Sequence, residues 1–78
     1  MPNVLRSGPY RFFFFSNEGS EPVHIHVESG DDYAKFWLGP VRLARSIGFT
    51  ATELNKLHRL VAMNEKRFLE AWHGHFGG

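Results

Sequence analysis

Cysteine is absent from this chain, and disulfides, thiolate metal sites and thiol nucleophiles are excluded with it. The expected compartment is therefore a reducing one, the cytoplasm. No apolar run approaches the roughly 20 residues needed to cross a bilayer, and Met1-Pro2-Asn3 lacks the basic and apolar regions of a signal peptide. No membrane partner is expected. The chain also lacks a phosphate loop, a dinucleotide glycine pattern, a His-Glu-x-x-His motif and a nucleophile elbow. Internal repeats, low-complexity tracts and interdomain linkers are missing as well.

What remains is rich in aromatics. The 78 residues, 42% hydrophobic and 15% aromatic with eight phenylalanines, have enough apolar surface for one core and too little for two. The expectation is a single domain over residues 1–78, with association into homo-oligomers as a further source of stability. The formal net charge of +1 hides an asymmetry. Acidic residues prevail before Tyr33, and Lys35, Arg42, Arg45, Lys56, Arg59, Lys66 and Arg67 make the rest mildly basic. A solvated helix face and a nucleic-acid surface both fit that pattern.

The pattern of apolar residues predicts an α+β fold, a small antiparallel sheet of four or five strands (about residues 3–45) packed against one long C-terminal helix (about 50–74). Val4-Leu5-Arg6 is a short first strand, stopped by Ser7-Gly8-Pro9. Tyr10 to Phe15 follows, with aromatic side chains on both faces and hence a place inside the sheet. Ser16 to Pro22 reads as a loop. Val23–Glu28 and Tyr33–Leu38 form a hairpin around Ser29-Gly30-Asp31-Asp32, and Val41–Arg45 alternates as a fifth strand.

Thr50-Ala51-Thr52-Glu53 is a capping box, flanked by Phe49 and Leu54 as a hydrophobic staple. Leu54, Leu57, Val61, Phe68 and Trp72 then recur at helical spacing. A helix from Thr50 to Gly74 would be about 37 Å long. Asn64 and Glu65 disturb its apolar stripe. Three readings stay open there, a kink, a structural pairing of Glu65 with an arginine reaching from the sheet, and a catalytic carboxylate, the pairing being favoured over the last.

The constellation with chemical content is His24-Ile25-His26. Strand alternation points both imidazoles to one face and gives Val23, Ile25 and Val27 to the core. A four-residue turn at Ser29–Asp32 sets Glu28 opposite Tyr33, His26 opposite Lys35 and His24 opposite Trp37. Three functions compete for that face. In the first, His24 and His26 act as general acid and base on an RNA phosphodiester, Lys35 and Arg11 stabilise negative charge and Trp37 stacks a base; no cofactor is needed. In the second, His24 and His26 ligate a metal. Glu28 would complete His-x-His-x-Glu, but same-face neighbours lie about 6.6 Å apart, so the third ligand is expected from Glu21 or a distant carboxylate. His73 and His75 are expected to be solvated. In the third, the face is a contact surface for protein or nucleic acid, with Trp37 and Tyr33 as anchors.

Several segments carry a family resemblance: Val4-Leu5-Arg6, Tyr10 through Gly19, Glu21-Pro22-Val23-His24-Ile25-His26-Val27, Ala34-Lys35-Phe36-Trp37-Leu38 and Trp72-His73. Together they resemble the bacterial family catalogued as domain of unknown function 4160. The most specific part is Glu-Pro-x-His-x-His-Val, in which Val23 stands where many relatives carry a second proline. The resemblance implies a compact bacterial protein, a small partner protein encoded nearby, membership of a toxin–antitoxin-like pair and action related to RNA or the ribosome. It implies no catalytic mechanism.

Overall fold

The computed structural model describes residues 3–77; Met1, Pro2 and Gly78, at the ends of the expected domain, lie outside the described residues. Five strands, β1 (Asn3–Ser7), β2 (Tyr10–Phe13), β3 (His24–Ser29), β4 (Asp32–Trp37) and β5 (Arg42–Ile47), precede two helices, α1 (Ala51–Met63) and α2 (Glu65–Phe76). The strands form one antiparallel meander in the order β1-β2-β3-β4-β5, the arrangement that short connections favour. The aromatic strand is interior, as expected, but it ends at Phe13, and Phe14 and Phe15 begin the loop to β3.

The β3–β4 register is the expected one, with His24 opposite Trp37, His26 opposite Lys35 and Glu28 opposite Tyr33. Ser29 pairs with Asp32, so only Gly30 and Asp31 turn the chain. Gly30 takes φ +60°, a region that disfavours side chains and makes glycine the natural residue for a two-residue hairpin turn. The fifth strand starts one residue later and ends two residues later than its alternation suggests, and Arg42 to Ile47 lie exposed on an edge.

One sheet face presents Tyr10, Phe12, Ile25, Val27, Ala34 and Phe36 to Phe49, Leu57, Val61 and Phe68 from the helical layer. The Phe12 and Phe68 rings stack at 5.4 Å between centroids. Burying a phenylalanine of this kind stabilises the fold by about 1.5–3 kcal/mol. The capping box forms as its residues dictate: the Glu53 N–H donates to Thr50 Oγ1 at 3.1 Å and the Thr50 N–H to Glu53 Oε1 at 3.0 Å.

The single long helix is corrected to two. Asn64 has φ −111° and ψ 13°, and its Nδ2 donates to the Leu60 carbonyl at 2.8 Å, the same oxygen that its backbone N–H reaches at 3.1 Å. An amide side chain competing for a backbone acceptor disfavours regular helix. Size also matters, since the longest dimension of the Cα trace is 34 Å and a straight helix of about 37 Å would overshoot it. Beyond the break α2 sets Trp72 against Phe14 and against His24 at the start of β3. Glu65 secures the bend through the Gly39 N–H, which donates to its carboxylate at 2.8 Å, so its partner is a backbone amide and not an arginine. The second helix runs past Gly74 and closes at Gly77 in the left-handed region, whose N–H returns to the His73 carbonyl. Neither helix is long and apolar enough to cross a membrane.

Candidate functional site

The sheet face opposite α1 carries Arg11 and Phe13 from β2, His24, His26 and Glu28 from β3, and Tyr33, Lys35 and Trp37 from β4. It is not an open surface throughout. The ten-residue loop from Phe14 to Val23 folds back over β3, and α2 brings Trp72 up to its end. His24 meets the Trp72 ring at 4.9 Å and Trp37 at 5.6 Å, while His26 lies between Phe13 at 5.3 Å and Phe15 at 5.0 Å. The two histidines are consequently 1% and 3% exposed. Gly19 allows the loop to sit so low, since a Cβ there would stand 2.7 Å from the Phe76 ring.

The loop delivers a carboxylate to the histidines. Glu18 lies with Oε1 and Oε2 at 2.9 and 3.0 Å from His26 Nε2, and Oε1 is 3.0 Å from His24 Nε2. The Phe15 N–H donates to Glu18 Oε1 at 2.9 Å and holds the carboxylate in place. Burial alone would raise the Glu18 carboxyl, but the Phe15 N–H and the His26 and His24 rings outweigh it and hold the group below the usual carboxylate value. Burial pushes His26 below the usual histidine value against the pull of Glu18, and His24 and Lys35 push the same way as burial.

Proton positions follow from the partners. Carboxylates and carbonyls only accept, so in a neutral His26 the Nε2–H donates to Glu18, and the Tyr33 hydroxyl, 2.6 Å from Nδ1, donates to the ring. Burial raises the Tyr33 phenol, chiefly by desolvation, so it retains its proton. His24 Nδ1–H donates to the Pro22 carbonyl at 2.8 Å. Its Nε2 is close to Glu18 but out of alignment for a hydrogen bond, and is a buried nitrogen without a partner.

The residues singled out from the sequence therefore divide. His24, His26 and Tyr33 join one buried cluster. Lys35 lies at its rim, 3.0 Å from Glu21 and 4.5 Å from the centre of the Trp37 ring. Glu21, the one carboxylate named among those expected to reach the histidines, is thereby committed elsewhere, and Glu18 takes that position. Arg11 is bound to Glu28, its cross-strand neighbour, and donates to Asn3 Oδ1 at 2.7 Å. His73 and His75 are exposed. Glu18 was missed by sequence reasoning because loop residues have no periodicity to place them. Its six- and eight-residue separation from the histidines is the one trace it leaves.

Beyond Lys35 the face ends in an open cleft of about 290 Å³ lined by Pro22, Trp37, Leu38, Gly39, Pro40 and Arg42. Arg45 lies across from Lys35 on β5. Among the described residues no carboxylate pairs with Arg42 or Arg45. A family model described as Domain of unknown function (DUF4160) matches residues 10–73. No curated protein and no solved structure matches.

Proposed function

Given that the chain belongs to the DUF4160 family, whose description assigns no activity, we propose that it is a non-catalytic module that binds single-stranded RNA at the β4–β5 end of the sheet. The observation carrying this reading is the open cleft in which the half-buried Trp37 meets Pro22, Pro40 and Arg42. Arg45 adds a positive charge without a carboxylate partner among the described residues on the same face, next to Lys35, whose ammonium is paired with Glu21. An accessible indole offers a stacking platform for a base, and cations beside it meet the backbone phosphates. Binding is favoured over cleavage because a general acid or base must come within hydrogen-bond reach of the scissile group. His24 and His26 are enclosed by aromatic rings and turned toward Glu18. A place in a toxin–antitoxin-like pair with a small protein encoded nearby is what the family resemblance implies for such a module.

Fluorescence anisotropy with a labelled single strand of about ten nucleotides tests the reading. Trp37→Ala is expected to weaken binding by about 5- to 150-fold, the loss of one stacked base at about 1–3 kcal/mol. Arg42→Ala and Arg45→Ala should each reduce the slope of log K against log salt by about 0.7. The RNA should remain intact throughout. Folded variants that bind as tightly as the parent chain, with an unchanged salt slope, would refute the proposal.

A further inference from the structure

We propose that Glu18, His24 and His26 form a binding site for one divalent first-row transition-metal ion, zinc being the closest match, held by the two Nε2 atoms and a Glu18 carboxylate oxygen. The donor atoms all lie within 4.8 Å of one another. Glu18 Oε1 is 2.9 and 3.0 Å from the two nitrogens. Tetrahedral ligands at about 2.0–2.1 Å from zinc are about 3.3 Å apart, so the two Glu18–histidine contacts are within a few tenths of an ångström of the separation an ion would need. Two imidazoles and one carboxylate suit zinc and its neighbours and disfavour magnesium and calcium, which prefer oxygen alone. Three protein ligands leave a fourth position open.

Each ring is oriented from behind. Pro22 fixes His24 with Nδ1–H outward, which leaves the unprotonated Nε2 beside Glu18 as a buried nitrogen otherwise without a partner. In a neutral ring that arrangement leaves an unprotonated nitrogen 3.0 Å from an anion, and a cation held by both converts repulsion into ligation. His26 is backed by the Tyr33 hydroxyl, which can donate or accept. The ring can therefore carry its proton on Nδ1, donate to Tyr33 and present Nε2 to the ion while remaining neutral. Such backing of ligand imidazoles is the usual support of a metal site. Nor does another cation satisfy Glu18: its only ion-pair partners among the described residues are these two histidines. The carboxylate, 13% exposed, sits on the loop, so metal binding would tie the Phe14–Val23 segment to the sheet.

The test uses the full chain without an affinity tag, stripped with a chelator and titrated calorimetrically with Zn²⁺, Co²⁺ and Mg²⁺. One Zn²⁺ per chain is expected, with Co²⁺ giving the visible absorption of a tetrahedral or five-coordinate site and Mg²⁺ giving no heat. At a hundredfold excess of free Zn²⁺ over its Kd, the melting temperature should rise by about 10–20 °C. Glu18→Gln, on a loop where folding is least at risk, and His24→Gln should each weaken Zn²⁺ by at least about tenfold. The double change His73→Ala/His75→Ala should leave binding intact. Zinc affinity that survives in Glu18→Gln and His24→Gln but disappears with His73 and His75 would assign the metal to the exposed helix end and overturn the proposal. Absence of Zn²⁺ uptake, with nitrogen NMR showing His24 protonated at both ring positions, would overturn it too and leave an imidazolium–carboxylate pair.

Discussion

Trp72→Ala should be the most damaging single change at the junction of helix and site. The indole is 6% exposed and touches three elements: Phe14 at 5.4 Å at the start of the loop, His24 at 4.9 Å on β3 and Phe76 at 4.4 Å one turn along α2. Truncating a buried tryptophan costs about 3–5 kcal/mol in lost transfer energy and residual cavity. A folded chain of 78 residues has about 4–12 kcal/mol in total, so the variant should be marginal, with a melting temperature lowered by at least about 12 °C. Two controls calibrate the value. Thr50→Ala, which removes one cap hydrogen bond, should cost about 1 kcal/mol, and Met63→Ala, at 80% exposure, less than about 0.5 kcal/mol. Urea melts followed by far-ultraviolet circular dichroism give all three on one scale. If Trp72→Ala ranked with Met63→Ala, the docking of α2 against the sheet end and the loop would be wrong.

Acid should destabilise the metal-free protein in two stages. His26 is depressed from 6.5 by burial, so the unfolded chain takes up a proton first and stability declines as pH falls below about 6.5. Glu18, held below 4.5, contributes stability that is present above that value and lost as pH falls through its folded pKa; melting temperatures from pH 8 to 3 that fail to decline would refute both assignments. Gly19→Ala drives a Cβ to 2.7 Å from the Phe76 ring and should cost about 1–3 kcal/mol. Combination with Phe76→Leu should recover part of that loss, and strict additivity in a double-mutant cycle would show that the two residues do not meet.

The features legible in the sequence have causes within a few residues. Thr50 and Glu53 cap α1 because hydroxyl and carboxylate reach amides three positions away, and no distant contact is needed. Alternation and the Ser29–Asp32 turn were sufficient to align His24 with Trp37 and His26 with Lys35, because a strand has a period of two and a slip would send Ile25 and Phe36 out of the core. Tertiary structure decided the rest. Asn64 broke the helix where a straight one would have exceeded the longest dimension of the fold. The choice between Glu18 and Glu21 at the histidines depended on the path of the Phe14–Val23 loop, which is set by Phe76 packed on Gly19 and by Lys35 holding Glu21. A helix residue 57 positions from the glycine cannot be tied to it by any local pattern, and two glutamates three residues apart in a loop are chemically equivalent until the chain around them has closed.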